Sequence, residues 1–150
     1  MFDPSRVRVG LPDARTIADL FRLVGGLLAT GGKDTEPGEE GIAEALAARE
    51  RVATTAVGNG VALPHARLAG VVRARAALVT LPGPGLDLSA PDGEPVRIVA
   101  ALVLPENAPA AQLKALAALS KRLRDPDVRA AVLAATTPDE AIRAVDGGET

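Results

Sequence analysis

Arg49-Glu50-Arg51-Val52-Ala53-Thr54-Thr55-Ala56-Val57-Gly58-Asn59-Gly60-Val61-Ala62-Leu63-Pro64-His65-Ala66 is the stretch in which the character of the chain changes. Upstream of it, Ile42, Ala45, Leu46 and Arg49 share one face of a helix that begins near Glu39, with Glu39 and Glu40 well placed for the N-terminal dipole. From Val52 onward the helical period is gone. The β-branched run Thr54-Thr55-Ala56-Val57, then Gly58-Asn59-Gly60, then Val61-Ala62-Leu63 predict strand, tight turn and strand, because Asn-Gly enters the positive-φ conformations of hairpin turns at little cost. Pro64 fixes its own φ and biases Leu63 toward extended backbone, so the strand is expected to stop there. His65 is then presented at its tip, and the small Ala66 leaves the imidazole accessible.

Working outward, residues 7–11 alternate as a short strand, and Pro12-Asp13 can break it and cap a helix. Ile17, Leu20, Phe21, Val24, Leu27 and Leu28 follow at helical spacing, with Gly25 and Gly26 counting against the helix. Residues 30–38 read as a loop. Residues 74–81 and 96–104 are mainly apolar runs bounded by turn residues, the pattern of central strands covered on both faces, and the connection between them is rich in Gly and Pro. Pro109 opens a longer helix with Leu113, Leu116, Ala117, Ser120 and Leu123 on one side, stopped at Asp125-Pro126. Two shorter helices are expected, one across Val128, Val132 and Leu133, the other after a Thr137–Glu140 capping box. Interleaved helices and strands with one hairpin predict an α/β three-layer sandwich: a mixed parallel/antiparallel sheet of about five strands flanked by helices. A chain of 150 residues with no shift in composition is expected to form one domain, residues 1–150.

Composition narrows the chemistry. Apolar residues make up 47% of the chain and aromatics 1%, so Val, Leu, Ile and Ala must fill the core. Seventeen basic residues against nineteen acidic ones leave a net charge of −2, spread without long blocks, and Tyr and Trp are absent. Neither a nucleic-acid partner nor direct membrane insertion is expected from that pattern. Lack of Cys removes disulfides, thiolate nucleophiles and Cys-based metal centres, and the single His leaves no metal site except a carboxylate-built one. No cofactor is expected. With no apolar leader at the N-terminus, a cytoplasmic location is expected.

The chemistry-bearing residues cluster in the opening stretch. A neutral imidazole keeps one nitrogen free for attack while a hydrogen bond to the other sets the tautomer. A transferred phosphoryl group brings about −1.5 to −2 charge and needs a cation near it. Arg49 is the candidate if its helix packs beside the strand, with the Thr54 and Thr55 hydroxyls as neutral donors. At strand spacing these two point to opposite faces, so one of them, Thr54, is the candidate. Taken alone, though, a Pro-His at a strand end fits a structural histidine better than a relay. Gly58-Asn59-Gly60 lacks the remaining residues of dinucleotide and P-loop motifs, Ser5, Ser89 and Ser120 sit in no nucleophile elbow, and Asp87 and Asp92 suit Asx turns. Ala56, Val57, Val61 and Leu63 are candidates for an apolar docking surface around His65 if exposed.

The same residues resemble the enzyme IIA type 2 domains of the bacterial phosphotransferase system, the fructose, mannitol and nitrogen-regulatory group. The likeness runs through Arg49-Glu50, the Thr-rich stretch, the Gly-Xaa-Gly turn and Ala62-Leu63-Pro64-His65-Ala66. It continues through Gly85-Leu86-Asp87-Leu88, Ala90-Pro91-Asp92-Gly93, Pro95-Val96, the strand end at Leu102 to Pro105, and Gln112-Leu113-Lys114-Ala115-Leu116-Ala117. Roughly residues 40–145 follow the pattern. The resemblance implies that His65 accepts phosphate from HPr or an HPr-like carrier, that Arg49 stabilises it, and that it passes to a IIB permease domain or serves regulation of a target protein. Gln112 stands where many transport-type members carry a second histidine. Its amide donates a hydrogen bond but takes no charge, which shifts the weight toward a regulatory branch, or toward a degenerate domain without onward transfer.

Overall fold

The computed structural model describes residues 1–11, 14–30 and 36–146; the expected break and cap at Pro12-Asp13 and the middle of the 30–38 loop lie outside them. After a 3₁₀ turn, Pro4–Arg6, the elements in chain order are β1 (Val7–Arg8), α1 (Ile17–Leu28), α2 (Glu39–Val52), β2 (Ala56–Gly58), β3 (Val61–Ala62), β4 (His65–Leu68), β5 (Arg75–Thr80), β6 (Ile98–Pro105), α3 (Pro109–Leu123), α4 (Pro126–Ala134) and α5 (Pro138–Val145). The six strands form one mixed sheet in the order β1-β5-β6-β3-β2, with β4 also on β6.

β6 is the axis of the sheet. It pairs antiparallel with β5 from Arg75–Val103 to Thr80–Ile98, and parallel on its other side first with β3 and then with β4. Successive β6 side chains go to opposite faces. Val99, Ala101 and Val103 enter the core under α1 and α2, whereas Ile98, Ala100, Leu102 and Leu104 enter the one under α3, α4 and α5. Double-sided burial is why this segment and β5 lack polar alternation. The result is a helix–sheet–helix sandwich.

Element starts follow local chemistry. Thr16 caps α1 by accepting from the Asp19 amide at 3.0 Å. Asp125 ends the α3 region and caps α4, and Thr137 caps α5 through the Glu140 amide. β1 stops two residues in, because Gly10 turns at φ 68°. On α3 the buried face is Leu119 and Leu123 with Leu116 packed beside them; Leu113 is 73% exposed and Ala117 is exposed too, so the expected stripe was rotated. No helix among the described residues is long and apolar enough to cross a membrane.

Gly25 and Gly26 explain how α1 stays helical despite them. A Cβ on buried Gly25 would stand 2.6 Å from the Glu39 carbonyl oxygen, so this glycine lets the start of α2 lie directly on α1. Exposed Gly26 faces only the Glu39 carboxyl, at 3.4 Å or more. The two substitutions to Ala are therefore expected to differ in sign. Gly25→Ala should destabilise by about 1–3 kcal/mol through overpacking, and Gly26→Ala should stabilise by up to about 1 kcal/mol through helix propensity, both read from urea midpoints. Equal effects would refute the close-approach explanation.

Candidate functional site

Pro64 does not end the edge at His65; it interrupts it. β3 pairs Val61 with Ile98 and Ala62 with Val99, and β4 resumes with His65 opposite Leu102, so the register on β6 is carried unchanged across Leu63 and Pro64. The Pro64 carbonyl still accepts from the Leu102 amide at 2.9 Å. Proline has no N–H to offer, so the ladder skips a rung there. The strand β4 is the sixth strand that the apolar pattern did not announce, since Pro-His-Ala-Arg-Leu has neither alternation nor an apolar run.

Leu63 turns its carbonyl to the histidine ring, and His65 Nδ1 lies 2.8 Å from that oxygen. A carbonyl only accepts, so Nδ1 carries the proton and Nε2 keeps its lone pair. The ring is half-buried. Burial is the largest influence holding its pKa below the ordinary value, the Leu63 carbonyl acts upward, and the Arg49 charge adds a further downward push that exceeds the opposing one from Glu50. Ala66 and Leu68 pack against the α1–α2 layer, so the alternation of β4 turns His65 and Arg67 to the other pleat. Ala66 is small because it sits in the core, not because it clears space for the ring.

The α2–β2 joint sets the Arg49 charge where it acts on this ring. The Leu63 amide donates to the Thr55 carbonyl at 3.0 Å, which lays residues 53–55 alongside the Leu63-Pro64-His65 corner. Arg49, in the last turn of α2, donates through Nη1 to the Ala53 carbonyl at 2.8 Å. One of its five N–H groups is thereby engaged and the planar fork is held at the joint. Glu50 was quoted in the sequence only as part of the Arg-Glu pair; the structure shows its carboxylate gripping Thr55, through the amide at 3.0 Å and the hydroxyl at 2.5 Å. No spacing rule announces a glutamate that acts across a helix end.

Thr54 donates its one hydroxyl proton to the Leu88 carbonyl at 2.6 Å and accepts from the Ala56 amide at 3.1 Å. It ties the 86–90 loop to the joint, and donation to a phosphoryl group would require that bond to break. Gln112 lies half-buried in the first turn of α3, three residues past Pro109, its backbone N–H donating to the Ala108 carbonyl at 3.1 Å. Asp87 and Asp92 make the expected Asx turns, accepting from the Ser89 and Glu94 amides, and Asp92 also holds the Asn59 amide at 2.8 Å. Asn59 and Gly60 form the hairpin with φ of 57° and 77°. The anticipated docking surface is overturned: Ala56, Val61 and Leu63 are core residues and Val57 alone of the four is exposed.

Comparison with known proteins gives the same frame. Residues 1–147 match the model of the family described as "Phosphoenolpyruvate-dependent sugar phosphotransferase system, EIIA 2". A nitrogen regulatory protein of Bradyrhizobium diazoefficiens is 40% identical over 102 residues, covering 68% of this chain and 66% of the relative. The Escherichia coli PTS system 2-O-alpha-mannosyl-D-glycerate-specific EIIABC component is 42% identical over 100 residues, 65% of this chain but 15% of that protein. The matched stretch thus spans less than two thirds of some curated relatives and a small part of others. The crystal structure of the nitrogen regulatory protein IIA-Ntr of Neisseria meningitidis superposes with a TM-score of 0.86 at 30% identity, covering 96% of this chain and 94% of that one.

Two measurements check the ring geometry. Imidazole ¹⁵N shifts should report Nδ1–H with a bare Nε2, and the titration midpoint should lie below the ordinary 6.5. Arg49→Gln should raise that midpoint. Because the folded pKa is the lower one, the stabilisation from neutral His65 is fully present above about pH 6.5 and is lost as pH falls through the folded-state value. A midpoint at or above 6.5 would contradict the burial and charge assigned here.

Proposed function

The chain belongs to the phosphoenolpyruvate-dependent sugar phosphotransferase system EIIA 2 family, and from that premise we propose that His65 Nε2 accepts a phosphoryl group from the phosphohistidine of HPr or an HPr-like carrier. The observation that carries this reading is the tied Nδ1 and free Nε2 beside an arginine, at the one histidine of the chain. In the transfer, the Nε2 lone pair forms the new N–P bond as the donor's P–N bond breaks, and the donor imidazole leaves with that electron pair. The proton on Nδ1 stays in place. As positive charge builds on the accepting ring, the Leu63 carbonyl stabilises it, so no separate base is needed.

Phosphoryl transfer asks the protein mainly for positioning and charge stabilisation. Arg49 supplies the charge through the N–H groups not engaged at Ala53, and its planar fork suits the oxygens of a phosphoryl group. Gln112 adds a neutral donor. Burial that keeps His65 uncharged also keeps it nucleophilic near neutral pH.

Onward transfer to a IIB domain is one fate of that phosphate. A second reading, that phosphorylation changes affinity for a regulated protein, is favoured by Gln112. An amide there cannot become the cation that a second histidine provides, and nitrogen regulatory proteins are among the relatives. One domain over residues 1–150 and a cytoplasmic site of action complete the reading.

Incubation with phosphoenolpyruvate, enzyme I and a cognate HPr should add one phosphate that is acid-labile and alkali-stable, carried on Nε2. His65→Ala should take up none. Arg49→Gln should slow uptake by roughly 100-fold, the scale of losing one charge-stabilising donor in a transition state. Label that persists in His65→Ala would eliminate the relay. Gln112→His should leave acceptance intact, and faster discharge to a IIB domain would assign Gln112 to the onward step.

A further inference from the structure

Glu50 occupies the last turn of α2, where a carboxylate meets the negative end of the helix dipole and a basic residue would be favoured. It has no basic partner among the described ion pairs. Its two oxygens instead hold Thr55, which is 5% exposed, by the amide and by the hydroxyl. A residue placed against its local preference and fully engaged across a chain reversal points to a constraint beyond helix stability.

That constraint can be followed atom by atom to the imidazole. The Thr55 N–H and O–H donate to Glu50; the Thr55 carbonyl accepts from the Leu63 N–H at 3.0 Å; the Leu63 carbonyl accepts from His65 Nδ1 at 2.8 Å. Because the N–H and the C=O of one residue belong to different planar peptide groups joined through Cα, the series transmits position rather than polarisation, and it fixes where the Leu63 carbonyl stands beside the ring. Only the two positions Glu50 and Thr55 contribute side chains before the histidine itself. The same grip fixes the joint from which Arg49 reaches Ala53, one residue before Glu50 in the helix.

Resting on the phosphoryl-acceptor reading of His65, we infer that Glu50 and Thr55 are positioning residues for the transfer: the Glu50–Thr55–Leu63–His65 chain holds the ring with Nδ1–H inward and Nε2 outward, and sets Arg49 beside it. Neither residue touches the phosphate. Their effect is on the tautomer and on the maximal rate, not on binding of the carrier, because the clamp lies behind the ring.

The test uses Thr55→Val, Thr55→Ser and Glu50→Gln in the full chain. Thr55→Val and Glu50→Gln should lower the saturated rate of phosphate uptake by about tenfold while leaving the half-saturating concentration of phospho-HPr unchanged. Thr55→Ser, which restores the hydroxyl, should react at the wild-type rate. Imidazole ¹⁵N spectra, which need no phosphate donor, should show the single Nδ1–H tautomer giving way to a mixture in the first two variants and returning in the third. A folded Thr55→Val or Glu50→Gln chain with wild-type rate and tautomer overturns the inference, as does a loss confined to carrier binding. If Thr55→Val fails to fold, Glu50→Gln reads the same two quantities. A wild-type chain that takes up no phosphate refutes the relay instead, and the tautomer spectra then decide the positioning by themselves.

Discussion

The parallel ladder along one side of β6, from Val61 opposite Ile98 to Leu68 opposite Pro105, is the constraint on which the rest of the molecule depends. β6 is buried on both faces, so its backbone groups must be paired by neighbouring strands, and the register on this side is held by the alternating side chains of two cores. Pro64 can leave a gap in that ladder only because the rungs on either side keep the same register. An ordinary residue there would offer an N–H to β6 and extend the ladder without a break; the Leu63 backbone, one residue earlier, faces the opposite way, its amide on Thr55 and its carbonyl on the ring.

A second consequence runs through the hairpin. β2 covers β3 and stops short of β4, so the edge beside His65 is left for the α2–β2 joint. The joint is built from side chains used against backbone: Arg49 on Ala53, Glu50 on Thr55, Thr54 on Leu88. Such bonds contribute about 0.5–1.5 kcal/mol each, more when charged. Their larger effect is to give a chain reversal one shape, and with it one relation between the guanidinium and the imidazole. Electrostatics then follows from placement, since burial and the Arg49 charge both favour the neutral ring.

Much of this is legible in the sequence. The opening helix–turn–strand stretch identified the hairpin, the two apolar runs identified β5 and β6, and the Thr137–Glu140 pair identified the start of α5. His65 and Arg49 stood out by residue type. β4 has no periodic signature because it is a short edge segment with one half-buried and one exposed residue on its outer pleat. The α3 stripe was misplaced by one helix position: Leu113 and Leu119 are both apolar, and only the packing of α4 and β6 selects which is covered. The apolar residues flanking His65 looked like a docking face until the sheet buried Ala56, Val61 and Leu63.

By itself the amino-acid order determined the layers, the hairpin and which two residues, His65 and Arg49, are candidates for the site, because those depend on periodicity, on turn chemistry and on the chemistry open to each side chain. Tertiary structure alone decided how they meet. Pro64 reads in the sequence as a stop and acts in the sheet as a skipped rung; Glu50 reads as half of a charged pair and acts as a hold on Thr55; Thr54 reads as a donor and has its proton on Leu88. Each difference comes from a partner group that lies beyond the end of the local helix or strand pattern. A hydrogen-bond partner is a property of three-dimensional neighbours, and linear spacing does not encode it across a chain reversal.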